Sequence, residues 1–289
     1  MSSSVLFDAP GPKARARNRT YAVIGSAALV ALIAFIVYRL AAKGQLDGAM
    51  WDIFNYAGVR NSIVDGLVST LQAFAMAGVL SLVLAVVLAV GRLSDHKPVS
   101  WAATGVIELF RAVPLLITIY VLWVGFFTNE PLWAVVIGLT LYNGAVQAEV
   151  LRAGILAVPR GQSEAAYALG MSKTQVMTTV LIPQAVRSML PTIVSQLVVT
   201  LKDTSLGFVI TYEELLYAGR QMANTILVDG ENPYVPVVLV FGAIYVALCL
   251  ALSAVANWIE KRGRRAKTGI KVTEAQTATP EGASAGPPA

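Results

Sequence analysis

The sequence predicts an all-α polytopic membrane protein with six transmembrane helices, and three observations carry the prediction. Of 289 residues, 56% are hydrophobic and only 13% charged, with a mean hydropathy of +0.65, too apolar for an ordinary soluble enzyme. Six apolar runs reach the length of about 20 residues that a helix rising about 1.5 Å per residue needs to cross a hydrocarbon core of roughly 30 Å. The charges, 22 Lys and Arg against 17 Asp and Glu for a net +5, fall mostly between those runs, which argues against nucleic acid as a partner. The runs read as helices because an open strand edge cannot face lipid. A single cysteine, Cys249, rules out an intrachain disulfide or a CxxC metal site.

The first run, 21–42, follows Lys13, Arg15, Arg17 and Arg19. It exceeds the roughly 7–15 apolar residues of a signal-peptide core and is therefore expected to be a retained anchor. That gives a basic tail at 1–19 and an extra N-terminal helix at 20–42. The remaining runs, 63–93, 101–127, 132–155, 189–210 and 235–258, carry Gly, Pro and isolated polar residues, as helices around a lined path do. Sixteen Lys and Arg gather on one side: the four of the N-terminal tail, Arg92 and Lys97, Arg152, Arg160, Lys173 and Arg187, and six from Lys261 to Lys271. Positively charged connections stay in the cytoplasm, so both termini are expected there. The tails 1–19 and 268–289 lack hydrophobic periodicity and are expected to be disordered. The basic run after the last span, within a tail taken as 261–289, suits membrane lipid headgroups.

The connection after the fourth span has its own helical grammar. Pro159 and Gly161 break the incoming helix, Glu164 to Leu169 are good helix material, and Gly170 is placed to stop them in a left-handed conformation. Ser172-Lys173-Thr174-Gln175 then forms a capping-box pattern that starts the next helix. A short helix is thus held between two breaks, with small and amphipathic side chains suited either to a groove in another protein or to a plain surface.

Within this loop, Glu164-Ala165-Ala166, three residues, Gly170, nine residues, then Val180-Leu181-Ile182-Pro183 resembles the EAA loop of ABC-importer permeases. The stretches from Glu108 to Leu116, Gly161 to Ala166, Pro183 to Ala185 and Leu201 to Leu206 are similar to the polar amino-acid branch of that family. The likeness covers about 62–260, with a coupling loop at 156–187. The chain departs from the branch at Arg111-Ala112-Val113-Pro114 and at Tyr142 to Gln147. With its extra first span it is most similar to the longer actinobacterial glutamate-uptake permeases. The resemblance implies a type I importer permease fold with one extra N-terminal helix, in a bacterial cell membrane. It also implies a transporter subunit and not an enzyme, working with a separate ATPase dimer, a second permease subunit, identical or homologous, and an extracytoplasmic amino-acid-binding protein. ATP and Mg would sit on the ATPase, and this chain has no Gly-x-x-x-x-Gly-Lys-Ser/Thr loop of its own. Glu164, Ala165, Ala166 and Gly170 would dock in the ATPase, and the cargo would be a polar amino acid, glutamate foremost.

For the cargo path, Arg111 and Lys202 are costly cations inside apolar runs. Glu108, one turn before Arg111, and Asp203, next to Lys202, could pair with them. Alternatively, the cations attract a substrate carboxylate, with Asp203, Thr204 and Ser205 lining the same path. Asn143 and Gln147, one turn apart, either join helices or face that path. His96, in a short loop, reads as solvated and not as a metal ligand. An ATPase-independent carrier or channel, or a non-transporting scaffold, remains open from the residues themselves.

Overall fold

The computed structural model describes residues 11–265, and these form helices without a strand, an isolated bridge between Val228 and Glu231 apart. In order they are α1 (Pro12–Ala42), a 3-10 segment (Gly48–Asn55), α2 (Ala57–Arg92), α3 (Lys97–Ala112), α4 (Leu115–Phe126), α5 (Pro131–Leu156), α6 (Arg160–Ala168), α7 (Lys173–Gln175), a π segment (Val176–Leu181), α8 (Ile182–Asp203), a 3-10 segment (Thr204–Ile210), α9 (Leu215–Thr225) and α10 (Tyr234–Arg265). Five continuous helical stretches are long and apolar enough to cross a membrane, and a sixth is broken in two.

That break corrects the expected single helix at 101–127. Val113 and Pro114 are both extended, with ψ of 127° and 130°, and α3 meets α4 at a 100° bend. Proline removes a backbone donor and pushes its predecessor out of the helical region, so the ladder ends there. The chain at 189–210 also differs from expectation. Its helix begins at Lys173 and widens into a π turn before Pro183, which offers no N–H to the carbonyl of Thr179. At the N-terminus, part of the expected disordered tail is helix. Pro12 occupies the first turn, where its missing N–H costs nothing, so Lys13, Arg15, Arg17 and Arg19 ride on α1. At the other end α10 continues to Arg265. The expectation for 268–289 lies outside the described residues, as do residues 1–10.

α5 is the axis of the bundle. Its buried face carries Asn143, Gly144, Gln147, Ala148 and Leu151. The facing stripe of α2 is small at nearly every turn, with Ala73, Ala77, Ser81 and Ala85, and Gly66 and Thr70 continue it against α9. Lipid tails are as apolar as leucine, so helices associate in a membrane through close packing and interhelical hydrogen bonds, and small residues permit both. Gly144 shows the constraint, since a Cβ there would meet Leu84 at 2.9 Å. α1 is the contrast: it buries no residue, and from Tyr21 onward it is apolar on nearly every side, the composition of a helix surrounded by lipid. Its far end is fixed by Gln45, whose amide donates to the Asn232 carbonyl at 2.8 Å and accepts from the Val235 N–H at 3.2 Å.

The bundle therefore has two ends: one carries α6, the other α9. At the α9 end a tight turn at Asp229-Gly230, both with positive φ, is closed by the Val228–Glu231 bridge just before Asn232-Pro233. An Asp-Gly pair favours such a turn, because both central residues must adopt left-handed backbone.

Candidate functional site

The short helix of the loop forms as its sequence dictates. Gly170 takes φ +79°, its N–H donates to the Tyr167 carbonyl at 2.9 Å, and the Met171 N–H donates to the Ala166 carbonyl at 3.2 Å. This is a Schellman closure. Two residues later the Gln175 N–H donates to Ser172 Oγ at 3.4 Å and the Ser172 N–H to Gln175 Oε1 at 2.8 Å, completing the capping box. The two caps fix α6 against the following helix. Glu164, Ala165 and Gly170 are exposed, while Ala166 is buried and packs inward. Tyr167 and Leu169 are 48% and 83% exposed and add apolar area to the same end.

Beside this helix the charges pair. Arg92, at the end of α2, reaches Glu149 on α5 at 2.6 Å and Glu108 on α3 at 3.3 Å. Glu108 in turn meets Arg111 at 3.7 Å, and Glu149 meets Arg152 at 3.0 Å. Asp95, in the α2–α3 connection, pairs with Lys173 at the start of α7. Arg111 therefore sits at the α6 end, 42% exposed, because the Pro114 break turns α3 away from the path of α4.

In the middle of the bundle Asn143 and Gln147 are fully buried. Gln196 on α8 donates to Asn143 Oδ1 at 2.8 Å, and Gln147 donates to Ser81 Oγ on α2 at 3.3 Å. Both residues join helices, yet Asn143 Nδ2, Gln147 Oε1 and the nearby Thr140 hydroxyl have no hydrogen-bond partner among the described residues. A polar stripe with spare capacity thus runs along α5.

At the α9 end Lys202 and Ser205 line a cavity of about 650 Å³ between α8, α9 and α10, together with Arg220. Asp203 and Thr204 do not line it. The Thr204 hydroxyl is buried and donates to the Leu201 carbonyl at 2.7 Å, with Tyr245 Oη 2.9 Å away. The structure thus separates the two cations compared in the sequence: Lys202 is in the cavity and Arg111 in the ion-pair cluster. Arg220 was visible only as one charge in a polar connection. Its place became readable once α9 was known to be a helix with one buried face.

Close by, Glu214 is fully buried and caps α9, accepting from the Leu216 and Tyr217 N–H groups at 2.8 Å each. Burial pushes its carboxyl from the ordinary 4.5 up to about 7, against the pull of those two donors.

A bundle of membrane helices with a capped, exposed short helix at one end, held by its own closure motifs, defines a multi-pass membrane protein with an ordered loop helix. The family model of the binding-protein-dependent transport system inner membrane component matches residues 81–265. The chain is 39% identical over 241 residues to the glutamate transport system permease protein GluD of Corynebacterium glutamicum, covering 80% of this chain and 86% of that one. It is 32% identical to the glutamate/aspartate import permease protein GltK of Escherichia coli, over 69% and 92% of the two chains. Among solved structures, an amino acid ABC transporter crystallised with histidines superposes with a TM-score of 0.64 at 29% identity, covering 70% of this chain and 94% of that one. An inward-facing MetNI methionine ABC transporter shares the fold, with a TM-score of 0.60 at 18% identity over 72% and 99%. The chain belongs to the binding-protein-dependent inner membrane component family. It is a multi-pass permease subunit and not an enzyme, and the relatives it matches are amino-acid permeases.

Proposed function

We propose that this chain is the membrane-spanning subunit of an ATP-driven importer for polar amino acids, with glutamate as cargo, and that it couples to a separate ATPase dimer through α6. The observation that carries the reading is the doubly capped α6: its exposed Glu164, Ala165, Tyr167 and Leu169 are held in one orientation by hydrogen bonds that its own sequence supplies. A lever must be rigid to transmit force, and ATP moves a transporter only by binding its two states with different affinity. In this reading Glu164, Ala165 and Gly170 contact the ATPase, and Ala166 seats the helix on its own bundle. ATP and Mg belong to the partner. A second permease subunit and an external amino-acid-binding protein complete the assembly. The α6 end faces the bacterial cytoplasm, with both termini on that side.

The cargo path runs along the α5 stripe of Asn143 and Gln147 towards Lys202 and Ser205, while Thr204 and Asp203 shape its wall. The similarity to the two glutamate permeases supports glutamate. The test is to purify the tagged chain with its associated subunits, reconstitute the complex, and crosslink from Ala165→Cys. Crosslinking to an ATPase that responds to nucleotide, together with glutamate-stimulated ATP hydrolysis, is the expected result. Glutamate accumulation by vesicles that contain no ATPase would overturn coupling through α6.

A further inference from the structure

Arg92, Arg111, Arg152 and Lys173, at the α6 end, each have a carboxylate partner, yet two cations that share a cavity at the α9 end do not. Lys202, in the last turn of α8, and Arg220, on α9, line the same cavity of about 650 Å³, within the roughly 300–1,000 Å³ usual for small-molecule sites. Neither forms an ion pair among the described residues. The nearest acid to Lys202 in sequence, Asp203, does not line the cavity, and the neighbouring Glu214 spends both oxygens on the N–H groups of α9.

The rest of the wall is mostly apolar, with Phe208 and Phe241 among its residues, and both cations stay solvent-exposed at its mouth, accessible to a ligand. The Arg220 guanidinium lies 5.7 Å from the centre of the Phe208 ring, a stacking that steadies its plane without using its hydrogen-bond donors. Across the cavity the Tyr234 hydroxyl donates to Asn224 Oδ1 at 2.9 Å, which leaves the Asn224 NH₂ as a further donor. The set of an ammonium, a guanidinium and an amide NH₂ offers donors only. It suits an anion with several acceptor oxygens, and the guanidinium fork fits a carboxylate.

We propose that this cavity reads the side-chain carboxylate of an acidic amino acid, with Lys202 and Arg220 as the specificity-determining pair. The inference rests on the importer reading above and adds to it the residues that select charge. It makes Arg220 a substrate contact although the sequence places it in a connection between spans. An anionic lipid headgroup presents the same chemistry, and the test separates the two sources.

The assembled complex, with its ATPase and binding protein, is reconstituted in vesicles of purely zwitterionic lipid and in vesicles containing anionic lipid. Glutamate uptake is then followed for the parent protein, Arg220→Gln, Arg220→Lys and Lys202→Gln. Expected is a fall in maximal uptake of about tenfold or more for the two Gln variants, partial retention by Arg220→Lys, and an unchanged external KM, which the binding protein sets. The same ranking is expected in both lipids. Gln variants that import glutamate at the parent rate overturn the proposal. So does a loss confined to anionic vesicles, which assigns the cavity to lipid. A parent complex that imports no glutamate overturns the importer reading itself and leaves the variants with nothing to select.

Discussion

The two ends of this molecule solve the problem of charge in opposite ways. At the α6 end Arg92, Glu149, Glu108, Arg111 and Arg152 form a chain of ion pairs linking α2, α3 and α5, and Asp95 with Lys173 ties the α2–α3 connection to the helix after the loop. At the α9 end no ion pair forms among the described residues. The buried acid there, Glu214, is held by backbone N–H groups, and neither cavity cation has a carboxylate at ion-pair distance. Paired charges brace helices against one another, while unpaired ones keep their capacity for a ligand. The difference teaches that one end is built to hold its geometry and the other to accept something.

The pH dependence of stability tests the α9 end most strongly. Folding raises the Glu214 pKa from 4.5 to about 7, so the folded state binds that proton more tightly than the unfolded one. Stability from this group is full below about pH 4.5 and is lost as pH rises to about 7, on the order of 3 kcal/mol. Thermal unfolding of the solubilised protein followed across that window should show the decline, and Glu214→Gln should reduce it. An undiminished slope in that variant would mean that another group titrates.

Next in size is Arg92→Met. It removes one of the two partners of Glu149, whose side chain is only 18% exposed, leaving it Arg152, and leaves Glu108 with Arg111 alone. A loss of about 2 kcal/mol is expected, below the roughly 3–5 kcal/mol of a fully buried pair because the site is partly open. Arg220→Met at the opposite end should change thermal stability by less than about 0.5 kcal/mol, since no ion pair is broken. Equal losses from both would erase the contrast between the ends.

Gly170→Val acts on the loop alone. A Cβ there meets nothing within 4 Å, so the penalty is the left-handed backbone alone, roughly 1–2 kcal/mol and local to the loop. The complex should assemble in the membrane while uptake uncouples from ATP hydrolysis. Normal coupled uptake by that variant would show that the angle of α6 is not what the ATPase reads.

Much of this was legible in the sequence because its causes are local. The apolar runs, the glycine stop and the capping box each depend on residues within one or two turns, and the structure forms them at the expected places. The bend after Val113 was missed, although Pro114 signalled it, because hydropathy averages across a proline and sees one continuous run. Arg111 and Lys202 looked alike for the same reason. Arg220 carried no local mark at all, since its meaning depends on α8 and α10 arriving beside α9. Ala165 and Ala166 look equivalent in sequence, yet the helical rotation of one residue leaves the first exposed and buries the second.

By itself, then, the sequence determined where the apolar spans lie, where the short loop helix begins and ends, and that membrane is the solvent. These follow from hydrophobic length, backbone donors and left-handed glycine, all properties of contiguous chain. Only the tertiary structure decided which charges find partners, which polar groups of α5 meet another helix, and that Lys202 and Arg220 share a cavity. Coulombic and hydrogen-bonding partners lie dozens of residues apart, and the packing of small side chains on α2 against α5 sets the distances between them.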